Sequence, residues 1–241
     1  MDFSFKNYYS ILQKVSGYLK NSPFDQYSET GRFYLRHDVD IFNENVLNMA
    51  TIENDLGLSS IYFFQPNNAF YNILSPEVLR TIDKLNEKNH FLGLHIDAHE
   101  IGDIDSLFDN INVLYDFYSR FIPLTKIVSF HKPPSFVMDN FEIPGFTNVY
   151  GERYFKKIRY FSDSKRREFA SQLFNSLLMD KDTSIQLLTH PYWWDHVSLN
   201  LWEAWERFKK VKKMGFERSL REDFAPYKEL FDYRWETDSS T

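Results

Sequence analysis

Residues 33–42 read FYLRHDVDIF, so an apolar stretch of Phe33, Tyr34 and Leu35 runs straight into Arg36, His37, Asp38 and Asp40. Polar clusters of the same kind recur downstream: HIDAHE from His95, HKPP from His131, SDS from Ser162 and THPYWWD from Thr189, each after a short apolar run. His95 and His99, with three residues between them, have a spacing that turns both imidazoles toward one point from a turn or short helix. Two histidines plus a carboxylate from another strand make three protein ligands and leave a coordination position open. That is the composition of a catalytic metal site. Its nitrogen and oxygen donors suit one divalent ion, zinc first, with nickel or cobalt also compatible. Such a cation acidifies water near neutral pH. The chain has no cysteine, so thiolate ligands and disulfides are excluded.

The segments that must carry these residues alternate. Residues 4–20 have a helical apolar face of Tyr8, Leu12, Val15 and Leu19. Strand patterns follow at 33–38, 59–65, 90–96, 125–131 and 184–190, with shorter ones at 146–152 and 158–163. Between them lie helical stretches, one opened by Ser75 as N-cap with Pro76 at the first helical position. A further helix from residue 199 has Leu201, Trp202, Trp205 and Phe208 on one face. The stripe Phe224, Tyr227, Leu230, Phe231 and Trp235 predicts a C-terminal segment docked on the body.

Strand–helix alternation implies parallel pairing with right-handed crossovers. About seven such units in 241 residues, 43% of them hydrophobic, predict a single-domain distorted (β/α) barrel over 1–241. In a parallel fold the C-terminal strand ends share a face, so the five polar clusters converge there. The net charge of −6 and dispersed basic residues argue against a nucleic-acid partner. The N-terminus lacks the pattern of a secretory signal and no apolar run reaches the roughly 18 residues of a spanning helix, which predicts a cytoplasmic protein without a transmembrane segment.

Over residues 33–195 the clusters resemble, in order, the motifs of the polysaccharide deacetylase superfamily, carbohydrate esterase family four. LRHDVD resembles its aspartate pair with one residue inserted, HIDAHE its His-x-x-x-His, HKPP its Arg-x-Pro and LLTHP its Leu-x-x-x-His strand end. The resemblance implies metal-dependent hydrolysis of an N-acyl or O-acyl group on a sugar. It implies Asp40, His95 and His99 as metal ligands, Asp38 as general base and His190 as the acid that protonates the leaving amine. Val39 between the two aspartates leaves either register of base and ligand open.

Three departures bear on the substrate. Lys132, or His131 in another register, stands where the family has Arg, and Lys cannot orient a carboxylate through two parallel bonds. Pro134 has no N–H, so a backbone oxyanion donor falls to Ser135. SDS resembles the family's fourth motif only loosely, with Asp163 as the supporting acid. Trp193 and Trp194 fit either an apolar wall for a sugar or acyl group or core residues at the barrel rim, and His37 fits a place behind the ligands. The absence of a signal points to glycan biosynthesis on a nucleotide-linked or lipid-linked sugar rather than finished polymer. The alternatives are a metal-dependent amidohydrolase of a non-sugar C–N bond and an inactive carbohydrate-binding homologue.

Overall fold

The structure, a computed structural model, describes residues 1–99, 101, 103–138 and 142–229. Small polar side chains start several helices. Ser4 accepts the Asn7 N–H ahead of α1 (Phe5–Ser16). After the short β1 (Lys20–Asn21) comes β2 (Arg32–Val39), then α2 (Asn45–Asp55) and β3 (Ile61–Phe64). Ser75 caps α3 (Pro76–Glu87) through the Val78 N–H, with Pro76 in the first turn where its missing donor costs nothing. Next are β4 (Phe91–Asp97), α4 (Ile104–Tyr118, capped by Asp103), β5 (Leu124–His131) and the single-turn α5 (Ser135–Met138). The unit is completed by β6 (Thr147–Asn148), β7 (Arg159–Ser162), α6 (Ala170–Met179) and β8 (Ile185–Thr189).

The strands pair in the order β6-β5-β4-β3-β2-β8-β7, all parallel, with β1 added beside the start of β2. The sheet curls with helices around it into a distorted (β/α) barrel; among the described residues no pairing joins β6 to β7. On the outside, α1 lays Tyr8, Ile11, Leu12 and Val15 against Phe33, Leu35 and Leu187. Tyr62, Phe64 and Leu92 face Val46, Val78 and Ile82 of α2 and α3. Burying each such side chain contributes about 1.5–3 kcal/mol, which fixes the strands' register.

Strand alternation then decides which residues look inward. In β2, Arg36 and Asp38 point into the barrel and His37 points out toward Glu53 of α2. In β4, Gly93 and His95 share the inner face. A Cβ at Gly93 would stand 2.4 Å from the Phe63 ring, so only glycine lets β3 and β4 close up beneath the site. In β5, Ser129 and His131 are the matching inward pair, opposite His95 and Asp97.

The chain divides into two compact units, residues 1–198 and residues 199–241. The second holds α7 (Leu201–Asp223), started by a capping box in which Asn200 and Glu203 each hold the other's backbone N–H. Of the expected docking stripe, Phe224 is exposed, while Leu230, Phe231 and Trp235 lie outside the described residues. No helix among the described residues is long and apolar enough to cross a membrane.

Candidate metal centre

At the C-terminal edge of the sheet, one ligand atom each from Asp40, His95 and His131 lies within 4.8 Å of the others. Asp40 follows β2, His95 sits near the end of β4 and His131 ends β5. Nε2 of His95 and Nδ1 of His131 are 3.1 and 3.2 Å from the same Asp40 oxygen, Oδ1. That oxygen is buried yet accepts no hydrogen bond of good geometry. Two nitrogens and a carboxylate oxygen converging without satisfying one another are what a divalent cation's donor set requires, so the residues fit a metal.

The third member of this group is His131 and not the expected His99. His99 lies beyond the end of β4, exposed, in a turn where its backbone N–H donates to Asp97 at 3.1 Å. His95 is still inside the strand, which runs on to Asp97, and His99 is not in the group that converges on Asp40. His131, which in one register stands where the family has an arginine, completes the group instead. Alternation in β5 was the signal that could have found it, because Ser129 and His131 must face the same way.

Beneath these three residues Asp38 is buried. It accepts from Arg36 Nη1 at 3.2 and 3.4 Å and from Ser129 Oγ at 3.1 and 3.2 Å, and its Oδ2 is 4.0 Å from Nδ1 of His95. Arg36 is wholly buried with its guanidinium 4.7 Å from the Tyr150 ring. Burial alone would favour its neutral form, but Asp38 holds it protonated, with its pKa above the usual arginine range. The arginine that orients this aspartate comes from two residues earlier on the same strand rather than from HKPP. Lys132 and Ser135 are exposed, Lys132 in a left-handed conformation (φ 47°) that turns the chain away after β5.

His190, directly after β8, closes the group from the other side. Its Nδ1 is 2.6 Å from Asp163 Oδ1, its backbone N–H donates to the same carboxylate, and its Nε2 is 3.8 Å from Asp40. Asp163 is fully buried and also accepts from Trp194 Nε1 at 2.9 Å. Trp194 is thus a core residue, packed on the Phe3 and Tyr8 rings, that holds Asp163; it is not an exposed wall. Trp193 is half-buried and packs against the same core.

The charges interlock. Burial disfavours an imidazolium at His190, but Asp163 and Asp40 outweigh it and push its pKa up to about 9. Burial works against the charged form of Asp40 as well, yet the imidazoles of His131 and His95 hold it well below the usual carboxylate range. Asp40 in turn raises His131. His37 lies on the outer face, 3.0 Å from Glu53, with Nδ1 on Thr189 Oγ1 at 2.8 Å.

No family model matches the chain, and no curated protein matches it. It is similar to solved structures: a chitin deacetylase from the fungal pathogen Colletotrichum lindemuthianum at 16% identity (80% of this chain, 86% of that one, TM-score 0.46). Two others are a carbohydrate esterase family four pseudoenzyme, BA3943 from Bacillus anthracis (15%, 76% and 60%, TM-score 0.43), and the Bc1960 peptidoglycan N-acetylglucosamine deacetylase (13%, 85% and 90%, TM-score 0.41). The chain spans 60% of the length of the BA3943 chain.

Proposed function

We propose that this protein is a metal-dependent hydrolase that removes an N-acyl group from a sugar or glycan precursor. The observation that carries the reading is the convergence of Asp40, His95 and His131, with Nε2 of His190 3.8 Å from the same aspartate. Asp40, His95 and His131 would hold the cation. Bound there, a divalent metal supplies Lewis acidity toward the acyl oxygen and toward water. Asp38, held in place by Arg36 and Ser129, accepts the proton of the attacking water. His190 donates a proton to the departing amine. Asp163 locks Nδ1, so the catalytic proton is carried on Nε2, the nitrogen that faces the ligands. A carbohydrate substrate is favoured by the motif order from LRHDVD to LLTHP, and an amine leaving group by the presence of a dedicated acid. A nucleotide-linked or lipid-linked sugar is the substrate form we favour.

A second reading of Asp38 has its own support. Nδ1 of His95 is buried without a hydrogen-bond partner and lies 4.0 Å from Asp38 Oδ2, so a shift of about 1 Å would let this carboxylate orient a ligating histidine. Purified wild type, His131→Ala, His99→Ala and Asp38→Asn proteins are assayed for bound metal after dialysis and for amine release from a panel of N-acetylated sugars. His131→Ala should lose metal and activity, and His99→Ala should keep both. Asp38→Asn should keep metal and lose turnover; a fall of about 10–100-fold in metal affinity instead would assign it to orienting His95. Full metal in His131→Ala, or amine release only from non-sugar amides, would overturn the ligand set or the substrate class respectively.

A further inference from the structure

We infer that α7 is a docking surface for an anionic lipid membrane, lying along the headgroup plane rather than crossing it. Projected at about 100° per residue, Leu201, Trp205, Phe216 and Trp202 fall within about 100° of one another. Trp202 is 71% and Phe216 66% exposed, and Leu201 and Trp205 are exposed beside them. The segment 207–213 of this helix carries Arg207, Lys209, Lys210, Lys212 and Lys213 without a single acid, in a chain whose net charge is −6. On the same projection Lys209 and Lys212 fall within the strip's arc, Lys213 lies beside it, and Lys210 and Arg207 lie on other faces. Glu206 and Glu217 pair with Lys209 and Lys213 from either side of that segment, and Arg218 and Arg221 extend the basic charge toward the helix's end.

Charge complementarity selects the occupant. A second copy of this acidic chain would use the aromatic strip but would give the basic run no role beyond a general attraction. An anionic bilayer uses both. Tryptophan and phenylalanine rings settle at headgroup depth while lysine stems lie along the apolar boundary with their ammonium groups among the phosphates. Nζ of Lys209 already stands 5.2 Å from the centre of the Trp202 ring, which places charge and ring at one level. The helix is too charged to span, so the two features together describe a helix that lies on a membrane. This inference is independent of the proposed reaction, because it reads binding and not turnover.

The full chain is sedimented with vesicles of phosphatidylcholine alone and of phosphatidylcholine with phosphatidylglycerol, at low and high salt. Binding is expected only with phosphatidylglycerol and should weaken with salt. Lys209→Gln, Lys210→Gln and Lys213→Gln together should weaken it about a hundredfold, at about fivefold per lysine. Trp202→Ser with Phe216→Ser should also abolish it, circular dichroism having shown both variants folded. Quenching of wild-type tryptophan emission by brominated acyl chains tests insertion without any variant. Equal binding to both vesicles, no quenching, or no vesicle binding alongside a concentration-dependent dimer lost in the Trp202→Ser variant would overturn the inference, the last by assigning the strip to a second copy.

Discussion

His190 has one ring nitrogen committed to Asp163 and the other aimed at Asp40, and its surroundings keep it charged through neutral pH, its pKa being pushed up to about 9. A protonated imidazole suits a donor to an amine, which cannot depart as an anion. His190→Ala is therefore expected to lose about 10²–10⁴-fold in amide hydrolysis and the alkaline limb of its rate profile. An activated ester of the same acyl group, whose leaving group departs without a proton, should keep most of its rate. Comparing the pH–rate profiles of both substrates in wild type and variant checks this, and an equal fall on both would make His190 structural or a ligand. The buried Asp163 explains why the surrounding THPYWWD run has its composition: Trp194 supplies the carboxylate's other partner and packs it against α1.

At the scale of elements, β2 serves two faces at once. Its inner face carries Arg36 and Asp38, while its outer face sets His37 against Glu53 on α2. Glu53 is wholly buried and is met by Tyr8 Oη at 2.6 Å, Ser60 Oγ at 2.6 Å and Tyr62 Oη at 3.1 Å, with His90 Nδ1 3.5 Å away. Burial alone would raise this carboxyl, but His37 leads the groups that pull it down to about 2. His90, by contrast, is lowered by its burial. Removing Glu53 leaves several donors buried without an acceptor, so Glu53→Ala should cost about 3–5 kcal/mol, read by urea unfolding at neutral pH. A carboxyl depressed by folding contributes stability that is present above its unfolded value, about 4.3, and is lost as pH falls toward 2. The gap between wild type and Glu53→Gln should accordingly be largest near neutrality and shrink below pH 4. A gap that stays constant between pH 7 and pH 3 would show that Glu53 is not ionised in the folded protein.

For the whole molecule, a cation at the strand ends would tie β2, β4 and β5 together, since its three ligands come from three separate crossovers. Ligand binding to the folded state alone contributes about 2.7 kcal/mol at a hundredfold excess over Kd, or roughly 5–10 °C in Tm for a chain of this size. Thermal unfolding with and without zinc should show that shift in wild type and in His99→Ala, and none in His131→Ala. The shift should shrink as pH is lowered, because Asp40 raises His131 and the proton then competes with the metal. A chelator that leaves Tm unchanged in protein shown to contain metal would mean that the ion sits elsewhere.

The alternation of apolar strands and capped helices was readable because local propensity and tertiary burial demand the same residues at the same positions. The ending of polar clusters on one edge followed from parallel topology alone. Strand parity puts Arg36 and Asp38 on one face, but only the folded sheet shows that this face is the inner one. The partner of each inward residue was not readable. Whether His99 or His131 reaches Asp40 depends on where β4 stops and how β5 registers beside it, and His95 lies opposite Ser129 only in the folded sheet. The arginine for Asp38 was sought downstream in HKPP because a motif is a linear order, whereas the guanidinium needs only to be near in space, and position 36 is nearer. Trp194 fitted a sugar wall and a core position equally well until the folded sheet put its indole on Asp163. Sequence spacing measures distance along the chain; the curl of the sheet sets distance through space, and that distance decides which charges share a site.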